Sequence, residues 1–433
     1  MTKQNENEVF KEIEDFILSL ENTNEDLEDI SSTEVFFSYG ELGGLYLSDI
    51  DSKKYYHCLT LLLSVINENL ISKKEVEVIF QKTILTVLDI ENKQSGRSFE
   101  DRLSASLKEL RKKIKGEPIA YDVYYQIQGL SEEGLPFKVG NVQFCKFDKR
   151  QLSRFTDGLK AFKGDIEEKK KRDEFADILS KAEINSKIIA IVEKAALDPL
   201  AAKINAIKEI KLTIDVINFF SDLIPYNIEH NGFIYLPGEY GNEKINVPII
   251  TKEDKPSITI SYESAGPYIP FSFPMLLEFD KKHHINFKKI SLLLEKQKND
   301  LEIKIISAIQ WAGKATTAKN KEEAFLLYAI SLESLILPED DNFELSDRLS
   351  TRVAHLIGNN LHNRTEIKDE MKKLYSIRSK IVHSGYYQIT DTDLNTIRVY
   401  AKNCILRILT KKPFIVMKSK KELVAWFNKK IMS

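Results

Sequence analysis

The strongest constraint on the fold lies in residues 323–337, EAFLLYAISLESLIL, where the only charged side chains are Glu323 at the start and Glu333 inside the run. A helix of this sequence is apolar nearly all round, and such a helix persists in water only when other helices cover it on every side. From about His284 to the end the pattern is almost wholly helical, so the covering helices are at hand. A helical bundle is the expected outcome. Glu333 then needs a partner, because a buried carboxylate is costly unless it is paired or hydrogen-bonded. Arg348, Arg352 and Arg378 are the candidates in this region.

The remainder of the chain divides into two further regions. In the first, 1–115, Val9, Phe10, Ile13, Phe16, Ile17 and Leu20 form one stripe of an amphipathic helix. Helices over 55–70 and 74–88 follow, and a fourth carries Leu103, Leu107 and Leu110 before a basic last turn and Gly116. In the second region, 116–285, residues 119–128 and 137–147 are rich in Tyr, Val and Phe, which predicts a hairpin across 129–136. Helix is expected again over 150–224, with the charge run DIEEKKKRDE (165–174) as a solvated face and Pro225 as the stop. Short strands are expected at 233–236, 247–251 and 257–262, and the Gly/Pro cluster from Ala265 to Pro274 reads as a linker. The third region is 286–433. The fold class is therefore mainly α with α+β: a mixed helical and β N-terminal part, then an all-α bundle. Only 17 Gly and 12 Pro in 433 residues agree with helix over many-stranded sheet.

Composition narrows the function. Cys58, Cys145 and Cys404 are far apart and lack metal-ligand spacing, which excludes a disulfide scaffold and fits a reducing cytosol. The acidic, amphipathic start lacks the pattern of a signal peptide, and no apolar run approaches the ~20 residues of a membrane helix, so a cytoplasmic protein is expected. The formal net charge of −2 hides an asymmetry. Residues 301–433 hold 22 basic and 15 acidic side chains, a net of +7, which leaves −9 on residues 1–300. A basic C-terminal third invites a polyanion partner, although charges that only solvate helix faces would look the same.

Within that third, EIKDEMKKLYSIRSKIVHSG (366–385) is a helix whose C-terminal stop is Gly385, placing His383 in the last turn. Arg378 and His383 form an Arg-x4-His element. Five residues are about 500° of helix, so the two side chains diverge by roughly 140°. Ser379 and His383, at i and i+4, share a face. Histidine suits proton transfer because its ordinary pKa is near neutrality, and arginine suits phosphate clamping because its planar fork is always charged. Tyr386 and Tyr387 could stack on bases or pack on the bundle. Lysines 411, 412, 418, 420, 421, 429 and 430 interleave with Phe414, Leu423, Trp426 and Phe427, either as a phosphate track or as an amphipathic element docked on the bundle. His283 and His284 are adjacent and diverge on a helix, so no metal site is assigned.

LYSIRSKIVHSG resembles the signature of the HEPN domain in its ApeA-like branch. The likeness extends upstream through AIQWAGKA (308–315), AFLLYAISLESLIL and LSDRLSTRVAHLIG (345–358), in the order that family shows, from about residue 295 to 433. The resemblance implies a metal-independent ribonuclease that cuts single-stranded RNA, with tRNA one candidate target, Arg378 and His383 catalytic and Ser379, Glu333, Tyr386 and Lys380 supporting. Glu333 would position an arginine or carry a proton. The resemblance further implies a homodimer with a composite cleft, no cofactor, and anti-phage defence by abortive infection, with a phage-derived activator or regulatory partner. The family often has Asn, Asp or His directly after the arginine, where this chain has Ser379. The alternative is a non-catalytic HEPN module that binds nucleotide or RNA, or that dimerises a sensor.

Overall fold

A computed structural model describes residues 3–21, 33–38, 44–88, 96–147, 188–224, 232–236, 246–250, 256–260, 270–338, 344–385 and 388–432. The chain is mainly α with a minor β component. It divides into two compact units, residues 1–123 with 193–208, and residues 124–192 with 209–433. These differ from the linear cuts at 115 and 285, because two strands and one long helix run from one unit into the other.

The first unit is built on α1 (Lys3–Glu21), α2 (Asp49–Val65), α3 (Lys73–Leu88) and α4 (Phe99–Ile114), with the antiparallel hairpin of β1 (Thr33–Ser38) and β2 (Gly44–Ser48) between the first two. The apolar stripe expected of α1 is buried along its whole length, against Tyr55, Leu62, Phe80 and Ile84. Tyr55 stacks on Phe80 with ring centroids 5.4 Å apart. Ser48 and Ser98 cap α2 and α4 by accepting the amide hydrogens of Asp51 and Asp101.

The central sheet departs from the sequence expectation. Its strands are β3 (Ile119–Ile127), β4 (Phe137–Val139), β5 (Val142–Lys146) and β6 (Ile188–Ala196), in the order β3-β6-β5-β4. The expected hairpin between 119–128 and 137–147 does not form. The hairpin lies inside the second segment, where Val139 pairs with Val142 across the two-residue turn Gly140-Asn141. Gly140 has φ +58°, the left-handed backbone that such turns require. Residues 188–196, expected as helix, form β6 because Ile188, Ile189, Ile191 and Val192 make a β-branched run that lies against β5. The run 165–174 and the start of the expected helix at 150 lie outside the described residues.

Next, α5 (Pro199–Ser221) carries Ile210, Ile214 and Ile217 into the core and ends before Pro225. Of the strands expected further on, β7 (Asn246–Ile250) pairs antiparallel with β8 (Pro256–Ile260), and Tyr235 makes a single bridge to Gln128. Pro274, read as part of a linker, sits in the first turn of α6 (Phe273–His283), where its fixed φ suits the helix and its missing N–H costs nothing.

The rest is helical: α7 (Phe287–Glu295), α8 (Asp300–Thr316), α9 (Lys321–Ile336), α10 (Leu345–Ile357), α11 (Leu361–Ser384), α12 (Asp391–Thr410), a short 3-10 turn (Phe414–Val416) and α13 (Lys420–Ile431). As its composition demands, α9 packs against α8, α10, α11 and α12. Ser331 donates to the Ala308 carbonyl at 2.7 Å, and Lys304 Nζ reaches the carbonyls of Ser334 (3.1 Å) and Leu337 (2.8 Å), satisfying the end of α9. No helix among the described residues is long and apolar enough to cross a membrane.

Candidate functional site in the C-terminal bundle

The Arg-x4-His element lies on the last two turns of α11. That helix begins at Asn360, whose side chain accepts the Asn363 amide, and stops at Gly385, whose φ of +69° lets its N–H reach the Ile381 carbonyl. The inward face carries Met371, Leu374, Ile377 and Ile381, all buried. Arg378 sits next to this apolar row and half-emerges from it, while His383 is exposed in the final turn.

Of the three arginines that could meet Glu333, Arg378 does. Its Nε lies 3.1 Å from Oε1, and its Nη2 donates to Oε2 at 3.3 Å. The Nε–Oε1 approach lacks the alignment of a hydrogen bond, so this is an ion pair with one good bond. The two side chains are 26% and 20% exposed, intermediate between a surface pair and a buried one. Burial pushes the Glu333 carboxyl above its ordinary value, and the Arg378 charge opposes the rise without cancelling it. The Tyr375 ring lies 5.9 Å from the guanidinium, and burial beside Glu333 raises its hydroxyl. Arg352 is used differently. It donates Nη1 to the Ile336 carbonyl at 2.9 Å and lies over the Phe427 ring.

The structure therefore joins Glu333 to Arg378 and leaves His383 pointing to solvent. Among the described residues, Arg378 and His383 make no hydrogen bond with each other, as their helical spacing foretells. Ser379 is partly exposed, Lys380 is exposed, and Tyr386 and Tyr387 lie outside the described residues. Asp347 of α10 takes Lys372 at 2.8 Å and Lys368 at 3.2 Å, so α11 is tied to its neighbour on the side that carries its lysines.

The basic tail docks as well as carrying charge. Phe414, Leu423 and Phe427 are buried and Trp426 packs edge-on to Phe414, while Lys411, Lys412, Lys418, Lys421, Lys429 and Lys430 face solvent. His283 lies on Phe279, and His284 caps α6 in the left-handed region.

Sequence reasoning did not find a second polar cluster in the same unit, formed by Asp222, Tyr328, Arg398 and Lys402. The available signal was Arg398 and Lys402 at i and i+4 on α12, a helix whose neighbouring positions Ile397, Ala401, Cys404 and Ile405 are apolar. Comparison of the chain with protein-family models, with curated proteins and with solved structures returned no match.

Proposed function

We propose that this chain is a metal-independent endoribonuclease of the HEPN type, cutting single-stranded RNA through Arg378 and His383 and acting in anti-phage defence by abortive infection. The observation that supports this best is the Glu333–Arg378 pair between α9 and α11, on the same helix as the solvent-facing His383 of its capped last turn. A held guanidinium and an exposed imidazole are the two groups that transesterification of RNA needs. The 2′-oxygen attacks the adjacent phosphorus and the 5′-oxygen leaves, giving a cyclic phosphate and a free 5′-hydroxyl. One group must take the 2′-proton and another must protonate the leaving oxygen, while a cation stabilises the phosphorane charge. One His383 cannot stand on both sides of the phosphorus at once, so two chains in a homodimer, each bringing a copy of the motif, form the working cleft. Glu333 acts as a positioning residue on Arg378.

The test is cleavage of single-stranded RNA in EDTA by the full chain, with Arg378→Ala and His383→Ala alongside. Metal-independent cleavage giving cyclic phosphate ends, lost in both variants, is the expected result. Equal cleavage by wild type and His383→Ala would overturn it, as would a cleaving species that sediments as a monomer. A second reading, a non-catalytic RNA or nucleotide module, draws on the neutralisation of Arg378 by Glu333. It predicts RNA binding with no cut ends.

A further inference from the structure

The polar cluster on α12 has no part in the ribonuclease reading. Asp222 follows the end of α5, and its carboxylate is buried, 3% exposed. Two cations one turn apart on α12 converge on it. Arg398 donates through Nε to Oδ2 at 3.1 Å and through Nη2 to Oδ1. Lys402 Nζ lies 2.6 Å from Oδ2 and also donates to the Asp222 carbonyl. The Tyr328 hydroxyl donates to Oδ2 at 3.4 Å and stays neutral, since burial raises it far above its ordinary value.

One carboxylate thus faces two cations. Asp391, at the nearby rim, is itself paired with Lys321 at 2.7 Å. Among the described residues the cluster keeps a surplus of one positive charge in a poorly solvated place. Burial is the main reason that Lys402 is pushed down to about 8; Asp222 opposes the fall and Arg398 adds to it.

Beside the cluster is a cavity of about 350 Å³. Asp222, Arg398 and Asp391, the last held by Lys321, are its charged lining, Phe233 and Leu394 form an apolar wall, and Thr316 and Asn395 supply a hydroxyl and an amide. We propose that this cavity binds a phosphate monoester, with the phosphoryl group on Arg398 and the organic body against Phe233 and Leu394. Asp222 occupies Nε and Nη2 of Arg398, whose side chain is 37% exposed, and Nη1 is left to meet an anion. The phosphoryl group supplies the negative charge the cluster lacks. A bare phosphate would fill only a small part of the cavity, whereas a nucleoside monophosphate matches the lower range of small-molecule sites. The site is independent of Arg378 and His383, so it stands or falls apart from RNA cleavage.

The experiment is calorimetric titration of the full chain with adenosine monophosphate, adenosine, inorganic phosphate and acetate, with ionic strength held constant by chloride. Adenosine monophosphate should bind one to one, phosphate more weakly, and adenosine and acetate not at all. Arg398→Gln should weaken binding at least tenfold, and Lys402→Met should do likewise by removing the surplus charge without touching the cavity wall. Lys402→Met carries the test if Arg398→Gln fails to fold by circular dichroism. Arg378→Ala should bind as wild type does. Absence of heat with adenosine monophosphate, acetate binding as tight as phosphate, or binding lost in Arg378→Ala but kept in Arg398→Gln would each overturn the assignment.

Discussion

Replacing Lys402 by methionine should stabilise the C-terminal unit at neutral pH, although the lysine makes two contacts with Asp222. The side chain is 13% exposed, so solvent screens it little. Burial lowers its pKa from 10.5 to about 8, so the fold disfavours the charged amine. At ~1.4 kcal/mol per pH unit this is a cost of about 3 kcal/mol below pH 8. Methionine of similar length removes that cost, and it forfeits the hydrogen bonds of the amine, on the order of 1–2 kcal/mol. The expected net gain is about 1–2 kcal/mol at pH 7. Because the folded value lies below the unfolded one, the native state sheds the proton first as pH rises. Wild-type stability should therefore increase between about pH 8 and 10.5, and the advantage of the variant should shrink over that window. Asp222→Asn works in the opposite direction: it leaves two cations without their carboxylate and should cost about 3–5 kcal/mol. Both tryptophans, Trp311 and Trp426, belong to this unit, so their fluorescence in a urea titration reports it selectively. A Lys402→Met midpoint below wild type at pH 7, or an advantage that grows with pH, would refute the argument that burial disfavours the charged amine.

Further consequences follow from other contacts. A Cβ at Gly313 of α8 would lie 1.8 Å from the Asp215 carbonyl oxygen of α5, so Gly313→Ala must force two backbones apart and should cost about 3 kcal/mol in the same urea titration; an unchanged midpoint would show that the helices are not in contact. Asp198 accepts hydrogen bonds from the amides of Ser72, Leu200 and Ala201 and is buried, so Asp198→Ala should cost about 2 kcal/mol and speed hydrogen exchange at Leu200 and Ala201. Burial raises the Glu333 carboxyl, so the native state holds this proton more tightly than the unfolded chain does. Its contribution to stability is present below the ordinary carboxylate range and is lost as pH rises through the raised value. Urea midpoints of Glu333→Gln between pH 4 and 7 should lack that part of the decline, and an identical pH profile would contradict it.

Helical periodicity was legible wherever one face is apolar: the α1 stripe, the uniformly apolar α9 and the Gly385 stop of α11 all stand in the structure as their side chains require. The strand errors have a local cause. Residues 188–196 form a short apolar run, which periodicity alone does not distinguish from a buried helix, and the Gly140-Asn141 turn is only two residues long.

The sequence by itself determined that a helical bundle must surround residues 323–337, that Glu333 needs a cation, and that Arg378 and His383 share one helix at diverging angles. These follow from covalent spacing and from the cost of exposing apolar surface or burying a bare charge. Only the tertiary structure decided which of three arginines meets Glu333, and that Asp222 meets Arg398 and Lys402 at sequence separations of 176 and 180. Such pairings depend on how helices dock, and docking is set by the packing of whole faces, which no single segment encodes.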